Sequence, residues 1–518
     1  MNYKYEMLPD ECWWGGTSVD GEKMPFDKNT DITHDFRVKA DNQTMPMYLS
    51  NFGRCIWSEN PFKVTFKDGL ITVIGENVTI ETFGSTLKEA YVGAMNKHFP
   101  PSGEYLKEEF FKVPQYNTWM QLVYDQNQEG VMDYARNIIA HGYKPGILMI
   151  DEGWQKDYGD WSFDLQKFPD PVGMVKELHE MGFKVMLWVV PYVTPNGKRF
   201  VSNFFGNLLK DKTKTYFMRE ESGMPLLTFW WNGYSAVLDF TNPDDCEFLD
   251  TQLRALMNDI GIDGFKFDGG TLQHYSPSNF WTQKPYTSMI TAAERNIAWN
   301  KFGTKYAYHE YKDTFKGGGK RSIQRICDRG HSWDGDGINS LVPNALLQGI
   351  IGHPFVCPDM IGGGSWTVKE HHEAIDQELF VRMAQCSVFF PMMQISWAPW
   401  EAVDEEHLAL IKKAHDMHCE FGDEIIRLVN KAYEDGEPIM RSLEYNYPNK
   451  GYAHINDIFM LGEEYLIAPI VIKGQTEKEV PLPEGKWQGY DGKIYEGGKT
   501  VTLSVTLEDL PYFKKIEG

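Results

Sequence analysis

The segment Gly264-Phe265-Lys266-Phe267-Asp268-Gly269-Gly270 reads as a short strand that ends on a carboxylate and two glycines. Side chains alternate along a strand, so Lys266 and Asp268 share one face. A lysine beside a carboxylate lowers its pKa and keeps it ionised, which suits a nucleophile. The two glycines leave room for a ligand to approach. The plain alternative is a structural ion pair at the end of a strand.

Working outward, the same layout recurs. Short apolar runs alternate with helical stretches at Thr118–Val123, Gly146–Ile150, Val185–Val190, Gly264–Phe267, Tyr306–Tyr308, Ile323–Cys327, Pro354–Cys357 and Phe389–Gln394. Amphipathic segments such as Gln128–His141, Pro171–Met181 and Asp244–Ile260 lie between them. Continuous apolar strands alternating with helices predict a parallel sheet, and eight such units point to a (β/α)8 barrel. Acidic or polar residues follow the runs: Asp151 and Glu152, Asp268, His309 and Glu310, Asp328, Asp359. In a barrel, strand C-termini form the active-site face, so these ends would deliver carboxylates to one rim. Each acid alone reads more often as a helix cap or a loop aspartate, and the cluster is the signal.

The flanks read differently. Residues 1–113 show alternating runs such as Phe62–Phe66 and Leu70–Ile74 around the turn Lys67-Asp68-Gly69. Residues 426–518 repeat that texture, with runs such as Tyr465–Ile472 and Thr500–Val505. The expected architecture is α/β: an N-terminal β-sandwich (1–113), a catalytic TIM barrel (114–425) and one C-terminal β-sandwich (426–518).

Composition narrows the function. Lys plus Arg is 51 and Asp plus Glu 73, a net charge of −22. Nucleic-acid binding needs a basic footprint, so that class is excluded as the main activity. The aromatic share, with 16 Trp and 26 Tyr, suits the apolar faces of sugar rings as well as a core. The start of the chain, Met1–Asp10, lacks a basic and apolar leader pattern. The longest apolar run, around Val185–Val193, is far shorter than the roughly 20 residues of a membrane span. Seven scattered cysteines without a CxxC pair read as free thiols, so a cytoplasmic location is expected.

Other motifs are weaker. Asp151-Glu152-Gly153-Trp154, with Trp161 nearby, suits polyol recognition, with solvated loop acids as the alternative. Asp328 lies in Arg325-Ile326-Cys327-Asp328-Arg329-Gly330-His331, where local pairing with an arginine is the competing reading. Asp334 and Asp336 read as a turn and the cap of a helix beginning near Ile338. His371 and His372 read as surface residues, and no metal-ligand spacing, P-loop or dinucleotide fingerprint is present. No cofactor and no metal are expected.

Taken together, the chain resembles glycoside hydrolase family 31, the retaining α-glycosidases. The resemblance runs from about Trp119 to Phe513. It rests on Asp164 to Pro191, Trp231-Asn232-Gly233, Asp239-Phe240-Thr241-Asn242-Pro243, Gly352-His353-Pro354, Pro358-Asp359-Met360-Ile361-Gly362-Gly363, Gly436-Glu437-Pro438 and Ala468-Pro469. The resemblance implies Asp268 as nucleophile and Asp328 as general acid/base. Trp333-Asp334-Gly335-Asp336 echoes the family's acid/base motif and leaves Asp336 as the alternative. The Asp328-to-Trp333 spacing and the position of Asp328 at a strand end favour Asp328. Asp328 would rest protonated.

Two departures bear on the substrate. The segment Gln394 to Trp400 lacks a histidine that the family's glucosidases carry, and their nucleophile motif lacks a lysine like Lys266. Lys-x-Asp resembles α-galactosidases of the same clan. The resemblance therefore implies an exo-acting α-galactosidase, with α-glucosidase and α-xylosidase as alternatives. A transglycosylase shares the intermediate, and a catalytically degenerate sugar-binding protein is the reading from another class. The implied sugar pocket is lined by Asp151, Glu152, Trp188, Trp231, Lys266, Arg325, His331 and Asp359. The expected partner is a small carbohydrate, an α-galactoside or related oligosaccharide, with neither nucleic acid nor membrane.

Overall fold

The computed structural model describes residues 1–197, 200, 216–219, 225–275, 290–365 and 375–517. They fall into two compact units. One comprises residues 37–42 and 116–317; the other comprises 1–36, 43–115 and 318–518.

The first of these units is built on parallel strands in strict chain order. Gln115–Asn117 pairs with Ile147–Ile150, which pairs with Lys184–Val189, then Gly264–Phe267, then Tyr308–Tyr311. Helices Gln128–Ala140, Pro171–Glu180, Pro243–Ala255 and Ala292–Gly303 separate them. Sequential order without reversal is the winding of a β/α barrel; an open doubly wound sheet reverses at a switch point. Ile147–Ile150 and Lys184–Val189 are nearly all apolar because both faces are covered. Their helices start on local signals: Asn127 and Asp170 accept backbone N–H bonds from Gly130 and Gly173, and Pro171 opens its helix.

Two sequence readings shift here. Thr118–Val123, expected as the first strand, contains the single helical turn Trp119–Leu122, closed by Val123 at φ 50°. The strand is the preceding Gln115–Asn117, all buried despite its polar letters. The fifth strand begins at Tyr308, so His309 and Glu310 lie within it, not beyond its end.

The second unit contains antiparallel and parallel parts. In its N-terminal region, Asn2–Glu6, Leu70–Ile74, Lys63–Lys67 and Ile32–Asp35 form one antiparallel sheet. Trp13–Thr17, Gln43–Ser50, Arg54–Trp57 and Thr79–Thr82 form another. Rings cross between the two sheets, with Tyr48 and Phe66 centroids 5.1 Å apart. Further along, Ile323–Arg325 pairs in parallel with Val356–Cys357, and Met360–Ile361 with Gln394–Ile395. Helices Leu341–Ile350 and Gln377–Ser387 intervene. Helix Glu405–Asp435 is capped by Asp404 and ends at Gly436, φ 71°. The chain closes with an antiparallel sheet built on Met440–Ser442, Phe459–Leu461, Tyr465–Ile467 and Tyr512–Glu517, and a ribbon of Glu477–Leu482 with Lys499–Ser504. Trp487, Leu466, Val480 and Phe513 fill its core. Among the described residues, no helix is long and apolar enough to cross a membrane.

Candidate active site

The Gly264–Phe267 strand delivers Asp268, which is 6% exposed. The Trp188 indole donates to its Oδ2 at 3.0 Å, and the Gly269 N–H donates to its Oδ1 at 2.8 Å. Trp188 is supplied by the neighbouring strand, where it stands in register with Lys266. Gly269 and Gly270 have φ of 62° and 66°, the left-handed region that glycine enters without strain. A Cβ at Gly270 would lie 2.5 Å from the Trp299 ring.

Lys266 does not act where its place in the motif suggests. Its ammonium bonds Asp151 Oδ2 at 2.7 Å, so the ion pair is made across to the Ile147–Ile150 strand end rather than with Asp268. The two side chains are 2% and 4% exposed. Asp151 also accepts from Asn117 at 2.9 Å and from the Glu152 N–H at 2.8 Å.

Glu152 accepts from the Tyr158 hydroxyl at 2.5 Å and from the Trp231 indole at 3.1 and 3.2 Å. Burial pushes its carboxyl up to about 7, against the lowering effect of those two donors. Trp231 stands at the tip of the Leu227–Val237 hairpin and is half exposed. The two tryptophans of the acidic motif, Trp154 and Trp161, are buried. Trp154 is fully buried and braces the Trp188 carbonyl at 2.8 Å, while Trp161 packs edge-on against Phe248.

The other candidates belong to the second unit. Arg325, at the end of its strand, donates to Asp328 Oδ1 at 2.9 Å and also to Asp359. Asp359 is buried at φ 74° and accepts the Arg329 N–H at 2.9 Å. Asp328 is 41% exposed at its side chain. One guanidinium therefore serves two carboxylates, one enclosed and one open. His331 bonds the Gly362 carbonyl at 2.9 Å and accepts the Asp376 N–H at 2.9 Å. Burial lowers its pKa, in keeping with one ring nitrogen donating and the other accepting. Both ring nitrogens are thus bonded to backbone. Asp334 Oδ1 accepts from Ser332 and from the Asp336 N–H, closing the turn that its sequence suggests. His371 and His372 lie outside the described residues.

Tyr158, Asn117, Tyr192 and Asn296 were not singled out by sequence. Asn117 was hidden by the misplaced first strand. Tyr192 had a signal, being two residues past the apolar run that ends at Val190. Among the described residues, no group of three or more His, Cys, Asp or Glu side chains is placed to hold a metal ion.

The strand order agrees with a comparison to protein families. The model of the glycosyl hydrolases family 31 TIM-barrel domain matches residues 114–421, and that of the family 31 C-terminal domain matches residues 436–517. The chain belongs to glycosyl hydrolase family 31. The barrel expected from the alternating runs is therefore the fold of the central region. Mouse myogenesis-regulating glycosidase is 31% identical over 442 residues, which make up 83% of this chain and 60% of that protein. Alpha-glucosidase 2 of Bacillus thermoamyloliquefaciens is 26% identical over 426 residues, 76% of this chain and 51% of the enzyme. The chain thus spans 51–60% of the length of these two relatives. The Flavobacterium johnsoniae family 31 dextranase, solved with glucose, superposes with a TM-score of 0.84 at 20% identity, covering 99% of this chain and 66% of the dextranase.

Proposed function

We propose that this chain is a retaining exo-α-glycosidase with Asp268 as nucleophile and Asp328 as general acid/base. The observation that carries the reading is the setting of Asp268. It ends a barrel strand, is nearly buried, and has an N–H donor on each oxygen. Fixed donors hold a carboxylate in one orientation without neutralising it.

In the first step an Asp268 oxygen bonds the anomeric carbon as the glycosidic bond breaks, and Asp328 gives its proton to the leaving oxygen. In the second step Asp328 takes a proton from water, the water oxygen bonds the anomeric carbon, and the ester to Asp268 breaks. Retention calls for a carboxyl separation of about 5–5.5 Å. Asp328 must carry a proton when substrate arrives. The charge of Arg325 is already balanced by buried Asp359, so the trio reaches neutrality when Asp328 is protonated.

For the sugar, the names of the relatives favour a gluco- or xylo-configured substrate, an α-glucoside ahead of an α-xyloside. The α-galactoside is the second reading, and the Lys266–Asp151 pair favours it: an ammonium and a carboxylate side by side can serve both lone pair and proton of an axial O4. A panel of p-nitrophenyl α-glucoside, α-xyloside and α-galactoside separates the two. Fastest cleavage of the galactoside would overturn the gluco reading, and the reverse would overturn the galacto reading. No release from any of them, with sugar binding retained, would favour a non-catalytic sugar-binding protein. Seven free cysteines support a reducing compartment such as the cytoplasm.

A further inference from the structure

We infer that Tyr192 and Asn296 are positioning residues that clamp the Gly269-Gly270 turn from its two sides, and so aim Asp268 at the anomeric carbon. The inference rests on the nucleophile reading above and adds residues which that reading does not use.

The turn is the part of the site with least structure of its own. Two consecutive left-handed glycines follow Asp268, and the first of them supplies the N–H on Oδ1. Glycine has the widest conformational freedom of any residue, so a double-glycine turn holds a carboxylate steady only if something else fixes it. Both backbone polar groups of Gly270 are held by side chains. Its N–H donates to the Tyr192 hydroxyl at 2.6 Å, and its carbonyl accepts from the Asn296 amide at 2.7 Å. These partners come from a segment 78 residues before Gly270 and a helix 26 residues after it.

Each half of the clamp is itself oriented. The Tyr192 hydroxyl bonds His274 Nδ1 at 2.5 Å. Burial lowers the His274 pKa to about 4, so the ring is neutral and Nδ1 can accept. Thr271 Oγ1 also bonds Nδ1, at 3.0 Å, and in either tautomer of the ring the Tyr192 hydroxyl keeps a lone pair for the Gly270 N–H. The Tyr192 ring is fixed in turn against Trp230, 4.5 Å between centroids. On the other side, the Asn296 amide nitrogen also donates to Asp313 at 3.0 Å, and its oxygen accepts from the Phe315 N–H at 2.7 Å and from Asn300 at 3.2 Å. That pattern allows one amide orientation only. Tyr192, Asn296 and Asp313 are all buried. They act through the turn.

The test is a double-mutant cycle with chemical rescue. Tyr192→Phe removes the hydroxyl and keeps the ring. In the wild-type background it should lower kcat on a p-nitrophenyl α-glycoside about ten- to a hundredfold, the scale of a misplaced reacting group, while KM stays within about twofold. In the Asp268→Gly background, azide takes the place of the carboxylate: its terminal nitrogen bonds the anomeric carbon as p-nitrophenolate leaves. There the hydroxyl has nothing to aim, so Tyr192→Phe should change the azide-supported rate by less than about twofold. An equal loss in both backgrounds, or no loss in the wild type, would overturn the clamp. Asn296→Ser, run through the same cycle, gives the same decision if Tyr192→Phe does not fold. Full activity of Asp268→Gly without azide would instead overturn the nucleophile reading itself, and the clamp with it.

Discussion

Replacing Lys266 with methionine tests whether the Lys266–Asp151 pair is a desolvated charge pair or an incidental surface contact. The charges stand 2.7 Å apart with side chains 2% and 4% exposed. Removing the ammonium strands the Asp151 carboxylate, which keeps only the Asn117 amide and the Glu152 N–H. Breaking a buried pair on one side costs about 3–5 kcal/mol. An exposed pair such as Lys67–Asp31, with side chains 55% and 66% exposed, contributes little, because solvent screens it. With a urea slope of about 3 kcal/mol/M, Lys266→Met should move the unfolding midpoint down by roughly 1–1.7 M, read by tryptophan fluorescence. Adding Asp151→Asn removes the stranded charge and should recover more than half of that shift. On the proposed role of the pair in holding the sugar, the double variant should be inactive although its stability is recovered. A midpoint shift for Lys266→Met below about 0.3 M, the size of a surface pair, would refute the reasoning.

Asp328→Ala should slow cleavage of poor leaving groups by about a hundred- to ten-thousandfold and that of p-nitrophenyl glycosides much less, with azide restoring turnover as the α-glycosyl azide; steady-state kinetics and NMR of the product check both. Glu152 binds a proton in the folded state up to about pH 7 that the unfolded chain releases near 4.5. Its contribution is therefore full below pH 4.5 and is lost as pH rises through 7. Glu152→Gln should remove up to about 3 kcal/mol of that decline, measured as urea midpoints from pH 4.5 to 8.

The sequence carries the barrel because its strands are short, apolar and separated by amphipathic helices, and family membership bears this reading out. It also brings Lys266 and Asp268 onto one face, since alternation is local. What it does not carry are partners set by tertiary distance. Lys266 reaches Asp151, 115 residues away, rather than the carboxylate two positions on. Gln115-Tyr116-Asn117 is a buried strand because its polar side chains find partners in the fold, whereas Trp119 to Leu122 looks more strand-like and forms one turn of helix. The tryptophans of the acidic motif show the same limit. Trp154 and Trp161 stand beside the acids in sequence and pack into the core, while Trp188 and Trp231 reach Asp268 and Glu152 from other segments. The resemblance implies His331 as a pocket-lining residue, and only the fold shows its nitrogens bonded to the Gly362 carbonyl and the Asp376 N–H.

The most direct test of the account is covalent trapping. A 5-fluoro-α-glycosyl fluoride of the sugar cleaved fastest in the panel should inactivate the protein with time, because its second step is slowed more than its first. Intact mass spectrometry should show one added 5-fluoroglycosyl group, and peptide mapping should place it as an ester on Asp268. Steady inactivation with the label on any other residue, or turnover without a trapped ester together with an inverted product by NMR, would contradict the account.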